Sequence, residues 1–112
     1  MAFRQFTLTL NGAAQRLSRV YASGAADAQP SATDDIPYRQ ILFAADPANT
    51  AVVYIGSAST VLSTAHAFSL DPTQASQFPV SLGPFEAGPL KLSDFWVLGT
   101  NNERLMIGGV PF

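Results

Sequence analysis

Cysteine is absent from this chain of 112 residues, and charged residues and histidine are scarce. The lack of cysteine excludes disulfides, a thiolate nucleophile and the usual structural zinc sites. Charged residues make up 12% of the chain, which is about half the usual share. A small domain with so little charge is expected to have part of its surface covered by copies of itself or by a partner. A monomer with a surface rich in Ser, Thr and Ala has the same composition, so that alternative stays open.

Two further absences exclude classes of partner. The net charge is −2 and the basic residues are scattered singly, at Arg4, Arg16, Arg19, Arg39, Lys91 and Arg104. Nucleic-acid binding requires clustered cations that displace counterions from phosphates. No segment approaches the roughly 18 uninterrupted apolar residues of a membrane-spanning helix, and the N-terminus lacks the pattern of a signal peptide. We therefore expect neither nucleic acid nor membrane as a partner.

The rest of the chain predicts short strands. Phe6, Leu8 and Leu10 alternate with threonine, which is typical of a half-buried strand, and six further strand patterns follow: YRQILFAA, AVVYIG, HAFSL, QFPVSLG, LKLSDFWVLG and RLMIGGV. Eight prolines and eight glycines mark the turns, and no amphipathic helix of about ten residues is present. The pattern predicts an all-β antiparallel sandwich or barrel. We expect the chain to form one domain of residues 1–112, with an N-terminal arm at 1–5 and a long loop at 22–37.

Turn residues and prolines add local detail. Asn11-Gly12 supplies the positive φ of a tight hairpin, and residues 100–103 predict a four-residue hairpin between the last two strands. Pro79 interrupts an alternating segment, which favours an edge strand or a bulge. VVYI at 52–55 predicts a central strand, and Gly56 permits a bulge or a close backbone approach. The small, uncharged residues 57–60 form either a contact surface or a polar outer face.

No set of residues predicts catalysis or a metal site. His66 is the only histidine, and its surroundings, STAHAFSL, lack the glycines of a nucleophile elbow, so a structural or solvent-facing histidine is favoured. Asp34 and Asp35, with Asp27, have the oxygen ligands of a hard-cation site, but adjacent aspartates in such a loop are usually solvated. Phe95 and Trp96 point to opposite sides of a strand, so only one ring faces the core. We expect no enzyme and no cofactor.

Three motifs follow one another in the C-terminal part of the chain. Asn49 precedes a VYIG strand at 53–56, Leu70 ends a strand that is followed by Pro72, and LSDFWVLG at 92–99 precedes a predicted hairpin. In this order the motifs resemble those of small virion structural proteins of tailed bacteriophages. One difference is the middle turn, which often carries Pro-Gly in that group and is Asp71-Pro72-Thr73 here.

The resemblance implies a β-sandwich, often of jelly-roll type, that serves as a capsid decoration (cement) protein and bridges capsid subunits. It also implies a homotrimer, the major capsid protein as partner, and a place on the capsid surface of the virion after synthesis in the host cytoplasm. We expect interfaces at Phe3, Arg4, Asp34, Asp35, Ile36, Ser57, Ser59, Thr60, Trp96, Val110, Pro111 and Phe112. One alternative is a head-fibre or tail module in which Trp96 or Tyr54 stacks on a host glycan. Another is a small enzyme or ligand-binding barrel with a deep polar pocket.

Overall fold

The computed structural model describes residues 4–18, 29–72, 80–84 and 90–112, which form short strands and 3-10 helices. The strands are β1 (Arg4–Thr9), β2 (Gln15–Arg16), β3 (Tyr38–Ala45), β4 (Val53–Gly56), β5 (Phe68–Leu70), β6 (Val80–Leu82), β7 (Trp96–Leu98) and β8 (Arg104–Pro111). The 3-10 helices are Ala32–Asp34 and Leu92–Asp94. The described residues contain no α-helix, and the all-β class is confirmed.

The strands pair into two antiparallel sheets of four strands each. Sheet I has the order β1-β8-β3-β6, and sheet II has the order β2-β7-β4-β5. In sheet I, β8 pairs with both β1 and β3, and in sheet II, β7 and β4 are the interior strands. Each sheet ends in two edge strands and does not close on itself, so the architecture is a β-sandwich and not a barrel.

One hydrophobic core joins the two sheets. Sheet I contributes Leu8, Tyr38, Ile41, Phe43, Leu105 and Ile107, and sheet II contributes Val53, Ile55, Leu70 and Val97. The Phe43 ring lies at the centre, with its centroid 5.8 Å from that of Phe68 and 5.2 Å from that of Phe95. Burial of each such side chain contributes about 1.5–3 kcal/mol. Because apolar residues alternate with polar ones along the strands, each sheet has one apolar face. These two faces pack against each other and form the core.

The two predicted hairpins are wrong, because the turns connect strands of different sheets. Gly12 has the expected positive φ of 83°, but β1 pairs with β8 and β2 pairs with β7. Residues 100–103 likewise lead from β7 in sheet II to β8 in sheet I. Hydrogen bonds join these two connections to each other. The Leu10 N–H donates to Glu103 O at 2.7 Å, and the Asn102 N–H donates to Leu10 O at 2.8 Å. A turn residue sets where the chain reverses, whereas burial of the apolar faces decides which strands pair.

Other local predictions are confirmed. The VVYI segment supplies β4, an interior strand of sheet II. A Cβ at Gly56 would lie 3.0 Å from Cγ2 of Val61, so this glycine permits a close approach. The segment after Pro79 forms β6, which is an edge strand as predicted; Pro79 itself lies outside the described residues.

The N-terminal segments are described in part. Arg4 and Gln5 of the expected arm belong to β1, and residues 1–3 lie outside the described residues. The segment after Asn11-Gly12 forms a strand only at Gln15–Arg16. Of the expected loop at 22–37, residues 22–28 lie outside the described residues, and the remainder contains the 3-10 helix Ala32–Asp34.

Candidate interaction surface

The strand directions sort the connecting segments into two ends of the sandwich. Segments 10–14, 46–52 and 99–103 lie at one end, which we name the braced end. The other end, which we name the terminal end, carries the start of β1, the end of β8 and segments 31–37, 57–67 and 90–95. The backbone hydrogen bond from Leu17 N–H to Phe95 O, 3.2 Å long, joins the residue that follows β2 to segment 90–95. Apart from Trp96, the first residue of β7, every described residue that the sequence predicts at an interface lies at the terminal end.

Side chains tie the segments of the braced end to one another. The Glu103 carboxylate accepts hydrogen bonds from the N–H groups of Thr50 at 2.6 Å and Ala51 at 3.0 Å, and the bond from Thr50 is the main cause that lowers the pKa of Glu103. Asn49 Nδ2 donates to Arg104 O at 2.8 Å, and Asn49 Oδ1 accepts from the Arg104 N–H at 2.9 Å. Asn49 thus bonds to β8 as a neighbouring strand would. The asparagine of the first motif has a structural role.

The terminal end contains a second network. Arg4 Nη1 lies 3.0 Å from Asp34 Oδ1, and the Tyr38 hydroxyl donates to the backbone oxygen of Asp34 at 2.8 Å. Burial raises the pKa of this hydroxyl. Asp35 Oδ1 accepts a hydrogen bond from the Ser93 N–H at 2.9 Å. Arg4, Asp34 and Asp35, all expected at an interface, therefore have partners within the chain and hold the terminal end together.

The other residues expected at an interface fall into an exposed and a half-buried group. Exposed are Ser57, Ser59, Thr60 and Phe112, and half-buried are Ile36, Trp96, Val110 and Pro111. Phe3 lies outside the described residues. The Phe95 ring packs on Phe43, whereas the Arg16 guanidinium carbon lies 5.9 Å from the centre of the Trp96 ring. Phe95 is therefore the inward ring of the pair, and Trp96 belongs to the outer face of sheet II.

Both outer faces of the sandwich carry little charge. Register and burial place the following residues outward in sheet I: Gln5, Thr7, Thr9, Arg39, Gln40, Leu42, Ala44, Ser81, Arg104, Met106, Gly108 and Val110. The outward residues of sheet II are Arg16, Tyr54, Gly56, Ser69, Trp96 and Leu98. The charged residues of the two sets are arginines, two in sheet I and one in sheet II. Neither set contains a carboxylate, and the described acidic residues lie outside the strands.

Sequence reasoning missed two exposed apolar side chains. Met106 is 40% exposed and Leu62 is 53% exposed. A signal for Met106 exists, because it alternates with Leu105 and Ile107, and both of these face the core. Leu62 has no such signal. Its exposure comes from a tight turn in which Leu62 and Ala65 exchange backbone hydrogen bonds of 2.8 and 3.0 Å.

The outer face of sheet II also carries a ring pair. The ring centroids of Tyr54 and His66 are 4.9 Å apart, and His66 Nδ1 lies 3.1 Å from Leu62 O. A carbonyl oxygen only accepts, so this nitrogen carries the proton and Nε2 is the ring's acceptor in the neutral form. His66 thus has a local structural partner on the exposed segment 57–67.

Two shallow concavities flank segment 57–67. One, of about 480 Å³, lies over Tyr54 and Leu98 with Ser63 and Asn101 among its lining residues. The other, of about 390 Å³, lies beside His66 and has Ser57 and Thr60 among its lining residues. Neither lining contains a carboxylate or a basic side chain other than His66. Both suit a neutral contact better than acid–base chemistry.

Residues 4–18, 29–72, 80–84 and 90–112 contain no candidate metal site and no candidate membrane-spanning helix. In this part of the chain no three His, Cys, Asp or Glu side chains are grouped closely enough to hold a metal ion. Nor does it contain a helix with the length and apolar character needed to cross a membrane. Asp27, the third carboxylate considered for a cation site, lies outside the described residues.

No protein-family model, curated protein or solved structure matches the chain.

Proposed function

We propose that the protein is a virion structural protein of a tailed bacteriophage, a capsid decoration (cement) protein that stabilises the head by bridging capsid subunits. The observation that carries the proposal is the scarcity of charge on both outer faces. Among the described outward residues, the charged side chains are Arg39 and Arg104 on sheet I and Arg16 on sheet II, and none is a carboxylate. A neighbour that covers such a face has few charges to desolvate.

The strand pairing supports a jelly roll as the finer description of the fold. β1 pairs with β8, β2 with β7, β3 with β6, and β4 with β5. This pairing results when one long antiparallel ribbon is rolled into two sheets. Jelly rolls of eight strands occur in viral capsid domains, and also in lectins and cupins. Because a fold by itself does not decide function, the pairing agrees with the virion proposal but does not carry it.

In this proposal the terminal end contacts the major capsid protein. Its exposed residues include Ser57, Ser59 and Thr60 on segment 57–67, and Phe112 after β8. These four side chains are uncharged, so their own burial leaves no charge unpaired. The Arg39 guanidinium carbon lies 5.2 Å from the centre of the Phe112 ring, so a contact at Phe112 must leave this charge in solvent or pair it with a carboxylate. A homotrimer would place three such ends on several capsid subunits at once, and multivalent seating makes the total binding tighter than any single contact. The cemented head would then resist the outward pressure of packaged DNA.

The proposal has consequences for location and chemistry. The protein is synthesised in the host cytoplasm and lies on the capsid surface of the virion. It acts by adhesion, so it is not an enzyme and has no cofactor. Its scattered cations give no basis for contact with nucleic acid.

A copy count tests the proposal. Purified virions would be digested, and peptides of this chain would be quantified by mass spectrometry against those of the major capsid protein. A shell-covering decoration protein is expected at roughly one half to one copy per capsid subunit, because avidity requires a regular array. A handful of copies would indicate a fibre, neck or tail component, and absence from the particle would overturn the virion role.

A second candidate function is a head-fibre or tail module that contacts a host glycan. The observation in its favour is the set of rings on the outer face of sheet II, where Tyr54 and His66 form a tilted pair with an interplanar angle of 49° and Arg16 lies over Trp96. The uncharged concavity over Tyr54 has hydroxyl and amide groups among its lining residues, such as Ser63 and Asn101. Aromatic rings beside neutral polar groups suit the amphipathic surface of a sugar.

The two functions predict different effects of the same substitutions. If a glycan is bound, Tyr54→Ala and Trp96→Ala should abolish binding to immobilised host-surface polysaccharide, and Phe112→Ala should leave it unchanged. If the chain is a cement protein, none of these particles should differ in glycan binding. Loss of Phe112 should then lower the temperature at which heads release DNA.

A further inference from the structure

Two neighbouring rows of side chains lie across the outer face of sheet I. In two strands a large side chain in one row stands beside a small one in the other row, and in the third strand both side chains can form hydrogen bonds. The register places Thr7, Met106 and Ala44 side by side in one row, and Gln5, Gly108 and Leu42 in the next. In β8 the first row has the large side chain of Met106, and the second row has Gly108, which has no side chain. In β3 the order is reversed, with Ala44 in the first row and Leu42 in the second. In β1 both rows carry a hydrogen-bonding group.

These rows fit each other across a two-fold axis. The axis lies in the contact plane, runs perpendicular to the strands and crosses β8 at Ile107. Rotation by 180° about this axis places each row of one copy against the other row of the second copy. Met106 then enters the space above Gly108 of the second copy, and Ala44 lies against its Leu42. An isologous interface requires this reciprocity, in which residue i contacts j and j contacts i. We propose that sheet I pairs face to face with sheet I of a second copy of this chain about this axis.

The shape of the face supports this occupant. A shallow groove of about 270 Å³ lies on the face, and all six residues of the two rows line it. Met106, at its side, is 40% exposed, and its thioether accepts a hydrogen bond from the Thr7 hydroxyl at 3.8 Å. Methionine is unbranched and adapts its shape to irregular gaps. The groove and the side chain that fills it are therefore neighbours on the same surface, as self-association requires.

The charge distribution limits the strength of the pairing. Arg39 and Arg104 are the charged residues among the described outward positions of sheet I. The same axis places Arg104 against Val110 of the second copy, so its aliphatic stem can lie on an apolar side chain. Arg39 lies beside the Gln40–Val110 pair, so the axis also brings Arg104 near Arg39 of the second copy. These two like charges repel each other, and the repulsion weakens as salt is added.

The size of the face predicts a weak dimer. The outward positions of the four strands, each covering about 4.8 Å by 6.8 Å, give a face of roughly 400 Å². Two such faces bury about 800 Å² in total, which is below the roughly 1,000 Å² of a stable specific interface and in the range of weak, transient contacts. We expect association at roughly 100 µM protein, a range that local concentration on a particle would exceed. This pairing does not depend on the virion role, because it concerns the chain alone in solution.

Sedimentation velocity of the full chain between about 10 µM and 1 mM tests the proposal. The wild type is expected to show an even number of chains: a dimer, or a hexamer if a three-fold contact also forms. Gly108→Leu fills the space that receives Met106 and is expected to weaken association at least tenfold. Described glycines with positive φ are Gly12 and Gly83, so the backbone at Gly108 accepts a side chain.

A swap variant distinguishes the interface from a general disturbance. Met106→Ala combined with Gly108→Met exchanges the large and the small position and is expected to restore association. Ala44→Glu should also abolish it, because the carboxylate would face Leu42 of the second copy. Ser69→Leu, which adds the same side chain to the outer face of sheet II, is the matched control and should associate as the wild type. Circular dichroism confirms the fold of each variant.

Three results would overturn the proposal. The first is a wild type that remains monomeric, or purely trimeric, over the whole concentration range. The second is a Gly108→Leu variant that associates as the wild type does. The third is a swap variant that stays as dissociated as Gly108→Leu alone.

Discussion

Replacement of Phe43 by alanine is expected to be among the most damaging core substitutions. The Phe43 side chain is fully buried, and its ring contacts Phe68 and Phe95, which belong to the opposite side of the core. Truncation of a buried phenylalanine costs about 3–5 kcal/mol, and loss of the two ring contacts places this site in the upper half of that range. A domain of this size has a free energy of unfolding of about 5–15 kcal/mol. The substitution therefore removes about a quarter or more of the free energy of unfolding.

Urea unfolding followed by far-ultraviolet circular dichroism measures this cost. Phe43→Leu is the matched control, because it keeps most of the volume and should cost less than about 1.5 kcal/mol. Phe95→Ala should cost roughly 2–3 kcal/mol, since that ring is half-buried. Trp96→Ala should cost no more than about 1 kcal/mol, the value of its contact with Arg16. If Trp96→Ala costs as much as Phe43→Ala, the assignment of the inner and outer faces of sheet II is wrong.

Three other substitutions test the two ends of the sandwich. Asn49→Ala removes both hydrogen bonds to the first residue of β8 at a site that is 8% exposed. Thermal unfolding should show a loss of about 2–3 kcal/mol in the free energy of unfolding. An unchanged stability would show that these hydrogen bonds do not stabilise the fold. Gly109→Ala places a Cβ 2.6 Å from Cε1 of Tyr38, so urea unfolding should show a loss of about 1–3 kcal/mol, and a neutral effect would contradict this packing. The folded-state pKa of Glu103 is lowered from 4.5, so its contribution is present above pH 4.5 and is lost as pH falls through the folded pKa. Glu103→Gln should flatten the acid side of the stability profile, and identical profiles would exclude this role.

The sequence predicts strand positions well, because a strand leaves a local pattern. The YRQILFAA segment coincides with β3, Tyr38–Ala45, and the VYIG segment coincides with β4, Val53–Gly56. Both patterns follow from β-branched and aromatic residues that alternate or run between turn signals. Pro79 predicted an edge strand for a similar reason, since proline cannot donate a hydrogen bond to a sheet.

Strand partners leave no such pattern. Both predicted hairpins rested on turn residues, and both turns connect different sheets. Thr7 and Met106 lie side by side although they are 99 residues apart in the chain. A turn signal predicts a local reversal of the chain, whereas the pairing is set by how eight apolar strand faces are covered at once. Position in the sheet therefore cannot be read from the turn alone.

The same limit applies to the candidate surface. The low charge of the chain predicts a covered surface, but its place on the two outer faces depends on register. Arg4, Asp34 and Asp35 were expected to face a partner because loops and termini usually do. In the structure their charged groups are bonded within the chain. Composition thus predicts that a surface is covered, and pairing determines which surface is available.

Association through the faces also requires that the sheet edges do not pair first. β2, β5 and β6 are edge strands of two to three residues, whereas β1 is an edge strand of six residues. The register of β1 puts Arg4 on the same side as Phe6 and Leu8. An inward-directed charge on an edge strand is one means by which sheets resist pairing with other chains.

Arg4 is therefore expected to act on association more than on stability. Its side chain is 39% exposed and that of Asp34 is 21% exposed, so the ion pair contributes at most about 1 kcal/mol. Arg4→Val should change the urea midpoint little, yet it should produce open-ended oligomers in sedimentation velocity because the inward side of the β1 edge would then carry no charge. Arg4→Lys, which keeps the charge, should not. If Arg4→Val shows the same species as the wild type, the charge at the start of β1 does not protect the edge, and the short edge strands alone account for the discrete assembly.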